Sequence, residues 1–349
     1  MLYEHVCVEA MGYEVPDNVV SSLAMEERLL PVYQKLNRPL GRLEKMSGIR
    51  ERRLWKNGTQ PSEPSTKAAQ KALDNAGIDR KDIGCLLHTS VSRDFLEPAT
   101  ATVVHDCLGL PSTAMIFDIS NACLGFANGM ITLANMIELG QIKAGIVVGA
   151  ENPKPLIDAT VNELLNDENI TRAKLNRGMA SLTMGAGAVS AVMTHSSMSK
   201  SGHRLLGGMV RTASNHNGLC RVYGDACLSD PDNCNSMYAD AHGILTNGVQ
   251  LICETWAALL QELGWRDSDV DKIFGHQVST LHNDLVFESL GLDKAKGFYT
   301  VEYLGNVGSV SLPISLAIGI QENHVQPGDR VVMMGAGSGL CSILMGLQW

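Results

Sequence analysis

Three residues in the chain have types and positions suited to chemistry. Cys123 follows an apolar stretch, Met115-Ile-Phe-Asp-Ile119, and opens a helical pattern in Asn121-Ala-Cys-Leu-Gly-Phe126. A thiol at a helix N-terminus feels the positive end of the macrodipole, which favours thiolate. The unpaired backbone N–H groups there can hold an oxyanion. Packing as a small apolar residue is the competing reading, as for the other eight cysteines, and position alone does not choose between them. His276 ends the stretch Lys272-Ile-Phe-Gly275, so its imidazole emerges at a sheet's carboxyl edge, where ligands of doubly wound sheets collect. A lone histidine is more often a packed residue, and the chain has nine others. Asn306, in Gly305-Asn-Val-Gly-Ser309, opens a further helix, where asparagine is ordinarily an N-cap. Each signal is weak singly; together they place all three residues at strand–helix junctions.

The elements that must position them alternate along the chain as short apolar runs and helical patterns, the signature of an α/β fold. Strands are expected at 83–88, 114–119, 144–149, 188–194, 272–275 and 330–334, with helices at 65–76, 123–139, 243–263 and 310–322. The helix at 123–139 is apolar on nearly all sides and so belongs in the interior. An internal echo runs through the pattern. Gly77, Asp82, Ile83, Val91 and Ser92 match Gly264, Asp269, Val270, Val278 and Ser279 at a constant offset of 187. Asn121 and Ile146–Ala150 match Asn306 and Val331–Ala336, the offset drifting from 185 to 186. The expectation is two related α/β halves, residues 1–200 and 201–349, that share one site. His276 and Asn306 come from the second half and Cys123 from the first.

The 349 residues are 45% hydrophobic and 19% charged, enough for a sizeable core and too weakly charged for disorder. A net charge of −9 gives no basic footprint for nucleic acid or an anionic membrane. The N-terminal residues lack a basic n-region and a long apolar h-region, and no window nears 18 uninterrupted apolar residues. With nine scattered cysteines and no C-x-x-C, the expected location is the cytoplasm with reduced thiols. Cys220, Cys227 and Cys234, near His216, fit no common zinc module, so no metal is expected.

At Asn121-Ala-Cys-Leu-Gly-Phe126, Gly275-His-Gln-Val-Ser279 and Gly305-Asn-Val-Gly-Ser309 the chain resembles the Cys–His–Asn set of thiolase-superfamily condensing enzymes. The nearest branch is the 3-oxoacyl-acyl-carrier-protein synthase III type. Ser47-Gly-Ile-Arg-Glu-Arg-Arg53 and the closing Gly335-Ala-Gly-Ser-Gly339 loop fit the same family, and the resemblance runs from end to end. It implies a thiolase fold: two βαβαβαββ halves around a five-layer αβαβα core. It also implies that Cys123 carries the acyl group and that His276 and Asn306 hold a second thioester's carbonyl. Backbone N–H groups of Cys123 and Ala336 would form the oxyanion hole. No cofactor is implied beyond the CoA thioester substrates.

A finer resemblance is to the branch that condenses two long-chain acyl-CoAs in head-to-head olefin synthesis. It rests on Thr89-Ser-Val-Ser-Arg-Asp-Phe-Leu-Glu-Pro98 and on the length of the segment 151–177. There Glu97 matches a base that reaches across a homodimer into the neighbour's site. The competing reading is a surface carboxylate in an Arg93–Asp94–Glu97 cluster. The chain departs from ordinary synthase III enzymes where a Trp and an Arg sandwich the CoA adenine: Arg42 and Met46 stand roughly there. Past His276, Ser279 and Leu281 replace an Asn and a carrier-protein-docking Arg. These departures weaken malonyl-acyl-carrier protein as the second substrate. The alternatives are decarboxylative synthase III condensation in fatty acid biosynthesis, thioester hydrolysis, or a non-catalytic thiolase-fold partner.

Overall fold

The computed structural model describes residues 1–222 and 237–349. Its principal strands are β1 (Val6–Glu14), β2 (Cys85–His88), β3 (Met115–Asp118), β4 (Ala144–Glu151), β5 (Gly187–His195), β6 (Arg204–Thr212), β7 (Lys272–Gly275), β8 (Arg330–Gly337) and β9 (Cys341–Gln348). The longer helices are α1 (Ser62–Ala76), α2 (Thr100–Leu108), α3 (Gly125–Glu138), α4 (Lys154–Asn166), α5 (Arg172–Leu182), α6 (Ala241–Leu263), α7 (Thr280–Leu290) and α8 (Ser311–Gln321).

The strands run in the order β7-β8-β9-β6-β1-β5-β4-β2-β3. Cys7 pairs with Arg204, and Leu2 with Gly207 in an isolated bridge, and these join the set β1-β5-β4-β2-β3 to the set β6-β9-β8-β7. Corresponding neighbours have the same sense: β2–β4 and β7–β8 are parallel, β4–β5 and β8–β9 antiparallel. The chain passes from one set to the other between His195 and Arg204.

Side-chain alternation along these strands builds the layers, because successive residues point to opposite faces. Leu86, Ile146 and Val148 face an outer layer of Ala69, Leu73 and Val104 from α1 and α2. Val332, Met334 and Leu344 face Ile252, Trp256, Val286 and Phe287 from α6 and α7. The alternate residues Val147, Val331, Met333 and Ile343 turn inward onto Phe126 and Met130 of α3 and Ile314 and Leu316 of α8. The result is helices, sheet, helices, sheet, helices, the five-layer thiolase arrangement. Both central helices are apolar all round because both of their faces are covered.

The echoed segments fold alike. Gly77 and Gly264 end α1 and α6 in the left-handed region, at φ 59° and 66°. Each is followed by a 3-10 turn, Arg80–Asp82 or Asp267–Asp269, and then by β2 or β7. The helix expected from Cys123 starts at Gly125 instead. Ala122 has φ +44°, and Leu124 N–H closes a turn on Asn121 C=O at 2.9 Å. The helix expected from Val310 starts at Ser311, after a 3-10 turn over Gly308–Val310. The segment 151–177 carries α4 and most of α5, packed on the short helices Ser22–Glu27, Leu30–Lys35 and Arg42–Ser47 through Met25, Leu43, Ile157, Leu164 and Leu175. Among the described residues no helix is long and apolar enough to cross a membrane. Cys227 and Cys234 lie outside the described residues.

Candidate active site

Cys123 is carried on the loop between β3 and α3. Asp118, which ends β3, accepts hydrogen bonds from the N–H groups of Thr100 and Ala101, both at 2.9 Å, and so fixes the start of α2. A left-handed alanine costs about 1–2 kcal/mol, and Ala122 is held there by its neighbours. Gly125 lets the head of α3 lie against β2: a Cβ there would stand 2.5 Å from Thr89 O. Across from the thiol, a Cβ on Gly337 would sit 3.4 Å from Cys123 Cβ.

Burial pushes the Cys123 thiol up to about 12, reinforced by Cys220 and Glu151 and partly offset by the N–H groups of Ser338 and of Cys123 itself. The expectation of a resting thiolate is therefore corrected. The helix begins two residues later, and its dipole, worth about 0.3–1 kcal/mol, loses to desolvation. Ala336 lies inside β8 opposite Ser342, its side chain packed on the α6–α7 side. Gly335 and Gly337, on the other face, meet Leu124 and Cys123. The loop N–H that bears on the sulfur belongs to Ser338, just past the end of β8. It is the Ser338 N–H, rather than that of Ala336, that reaches the resting sulfur.

His276 follows β7, its N–H donating to Met334 C=O of β8 at 2.9 Å. It is 6% exposed, and burial, with His282 beside it, holds its imidazole down to about 3. It is neutral at working pH and can donate one ring N–H. Gln277 N–H donates to Ser311 Oγ at 3.2 Å and Ser311 Oγ to Gln277 C=O at 3.3 Å, tying the histidine to the head of α8.

Asn306 sits just before that head. Its backbone N–H donates to Thr183 C=O at 3.0 Å, and its C=O accepts from Gly185 N–H at 2.9 Å. A side chain on Gly185 would collide with Leu304 O, which explains the glycine. Asn306 Oδ1 accepts from Gly308 N–H at 3.0 Å, so the amide orientation leaves Nδ2 as the group free to donate. The N-cap position of the 3-10 turn before α8 is Val307, not Asn306; the Asn306 side chain instead closes a local turn on Gly308 while offering its NH₂ group.

Glu151, at the end of β4 and 3% exposed, is a site residue that sequence reasoning missed. Its carboxylate accepts from Val91 N–H at 3.0 Å, Ser92 N–H at 3.1 Å, Ser92 Oγ at 2.8 Å, and the N–H and Oγ of Ser309. It ties the loop after β2 to the Asn306 loop. Its signal was an acidic residue ending an otherwise apolar strand at the carboxyl edge. Glu97, on the same loop after β2, is exposed and makes no hydrogen bond or ion pair among the described residues. Its neighbours Val91, Phe95 and Leu96 are 47%, 48% and 74% exposed. Asp94 caps α1 through Ser62 N–H at 2.9 Å rather than pairing with Arg93.

The five layers and this arrangement at the carboxyl edge define a thiolase-fold condensing enzyme, and the chain belongs to the 3-oxoacyl-[acyl-carrier-protein] synthase III family of acyltransferases. The family matches residues 117–213, and its C-terminal family matches residues 260–349. Over the full length of both chains it is 39% identical to the acyl-CoA:acyl-CoA alkyltransferase of Shewanella oneidensis. A cysteine-to-serine variant of Xanthomonas campestris OleA, solved with bound lauric acid and lauroyl-CoA, is 34% identical with a TM-score of 0.93, each chain fully covered. A β-ketoacyl-[acyl-carrier-protein] synthase III of Bacillus anthracis is 27% identical over 99% of each chain.

Buried neutral histidines give stability a definite pH dependence. His88, fully buried, is held down to about 4 chiefly by desolvation, and His276 to about 3. An unfolded histidine titrates near 6.5, so between that value and the folded one the unfolded chain binds more protons. The histidine contribution to stability is fully present above about pH 6.5 and is lost as pH falls through the folded values near 4 and 3. Urea midpoints measured from pH 8 to 4 should decline below 6.5, less steeply in His88→Gln; an unchanged profile in that variant would exclude His88 as a cause.

Proposed function

We propose that the chain condenses two fatty acyl-CoAs into a β-ketoacyl product, as a homodimer in which Glu97 of the partner subunit is the base. The observation that carries this reading is Glu97 itself, an unpaired carboxylate among exposed apolar side chains. Beside that loop, β3 is an open sheet edge with Met115 54% exposed. Unpaired apolar edges are ordinarily covered, and a second copy would cover this one. The Shewanella relative, an acyl-CoA:acyl-CoA alkyltransferase, supports the substrate pair.

In the first half-reaction the Cys123 sulfur attacks an acyl-CoA carbonyl. The tetrahedral oxyanion is held by the N–H groups of Cys123 and Ser338. The carbonyl re-forms, CoA leaves, and the thiol proton passes to the CoA sulfur, so no standing thiolate is required. In the second, a further acyl-CoA places its carbonyl oxygen against the His276 ring N–H and Asn306 Nδ2. Glu97 of the partner subunit removes the α-proton, and the two donors stabilise the enolate. The α-carbon attacks the acyl-Cys123 carbonyl, the intermediate collapses, and the departing sulfur is reprotonated. The product is a β-ketoacyl-CoA, or a β-keto acid after hydrolysis.

The CoA phosphates need cations. Arg38 is depressed by desolvation and by the guanidinium groups of Arg172 and Arg42, which places three arginines together. Arg42 stands near the position of the missing adenine sandwich, and we assign the cluster to the CoA phosphates. Arg42→Ala should raise KM for acyl-CoA about 5–10-fold, a loss of about 1–1.4 kcal/mol, with kcat little changed. An unaltered KM would remove the cluster from the CoA path. Free thiols at the described cysteines fit a reducing cytoplasm. Offering lauroyl-CoA alone, then malonyl-acyl-carrier protein with it, tests the substrate pair. A β-keto product is expected from the first mixture, and a product only from the second would mean decarboxylative condensation instead.

A further inference from the structure

Beside His276, on the side of β7 and β8 that faces α6 and α7, lies a cavity of about 20 Å³. His276, His282, Asn283, Phe287, Phe298 and Met334 are among its lining residues. Among the described residues three buried atoms of this lining have no well-aligned hydrogen-bond partner: His276 Nδ1, His282 Nδ1 and Asn283 Nδ2, although the Asn283 side chain lies close enough to bear on the His282 ring. Their residues are 6%, 9% and 7% exposed. A buried polar atom left unpaired costs about 1–3 kcal/mol, so three around one cavity call for a common partner. The volume exceeds the roughly 10–15 Å³ that one water needs, and a buried water typically makes about three hydrogen bonds.

We propose that one buried water bridges His276 Nδ1, His282 Nδ1 and Asn283 Nδ2, making His282 and Asn283 positioning residues that hold His276 with its proton on Nε2. The water accepts from the Asn283 amide and donates to His276 Nδ1. Its third bond, to His282 Nδ1, it can serve as donor or acceptor. With Nδ1 occupied as an acceptor, the single proton of the neutral ring resides on Nε2, the nitrogen left to face a substrate carbonyl. α7 sets this up from sequence: Ser279 caps it by accepting from His282 N–H at 3.1 Å, fixing the turn that carries both residues.

The inference rests on His276 acting as a hydrogen-bond donor in the condensation proposed above, and its test is separable from that reading. Nitrogen-15 spectra of the full chain labelled at histidine report the His276 tautomer without any turnover. The expected wild-type spectrum has protonated Nε2 and unprotonated Nδ1, and a high-resolution crystal structure should show the water on all three atoms. A wild-type Nδ1–H tautomer, or no water at that position, overturns the proposal. In Asn283→Leu and His282→Phe the Nδ1–H form should appear and condensation kcat should fall about 10-fold or more. Acylation of Cys123 and KM should stay near wild type, and His282→Gln should restore much of the loss. Variants that keep the wild-type tautomer and condensation rate also overturn it.

Discussion

Glu97→Gln should give an enzyme that loads one acyl group on Cys123 and stops. In the mechanism proposed above, acylation uses only the thiol and the N–H groups of Cys123 and Ser338 and has no step that calls on Glu97. Condensation needs the α-proton removed, and a positioned base contributes about 10²–10⁴-fold. Intact-protein mass spectrometry should therefore show a gain of one acyl group at the wild-type rate, with β-keto product reduced by that factor. Mixing distinguishes a base in trans from one in cis. A dimer of one Glu97→Gln and one Cys123→Ala chain contains one complete site, because the intact cysteine faces the intact glutamate. Subunit exchange between the two inactive variants should recover part of the wild-type activity; a mixture that stays inactive after exchange would put Glu97 in its own subunit's site or outside the chemistry.

Cys123→Ser carries the other large effect. Serine keeps the loop geometry, since the left-handed turn at Ala122 and the space facing Gly337 do not depend on the sulfur. The hydroxyl is a much poorer nucleophile in a desolvated site that raises even the thiol to about 12. Covalent acyl labelling should vanish and condensation should fall by about 10³-fold or more. Labelling that persists in this variant would place the nucleophile on another residue, with Cys220 the first to examine because its sulfur lies near enough to bear on Cys123.

Much of this architecture is legible in the sequence because the two sheets are buried on both faces. Their strands read as continuous apolar runs, and the central helices as apolar all round. The echo at offset 187 is legible for the same reason, each copy being a helix, a left-handed glycine, a 3-10 turn and a strand. His276 and Asn306 stood out because a polar residue at the end of such a strand or the head of such a helix has few structural excuses. What escaped was set by local geometry and burial. The turn through Ala122 shifts the start of α3, so the dipole argument for a thiolate fails. That the Ser338 N–H bears on the sulfur follows from where β8 ends, a boundary that the glycine-rich Gly335–Gly339 run does not mark. Glu151 escaped because its hydrogen-bond partners come from segments about 60 and 158 residues away. The cluster around His282 was invisible because its three unpaired atoms meet only in the fold.

The central claim is that both halves of the product come from acyl-CoA. Carbonyl-labelled [1-¹³C]lauroyl-CoA as the only thioester tests it in one measurement, with the β-keto product analysed by mass spectrometry and carbon NMR. The expected product is labelled at C1 and at C3, one label from each acyl-CoA, and forms without a malonyl donor. Label found only in free lauric acid, or condensation that begins only when malonyl-acyl-carrier protein is added, would contradict it.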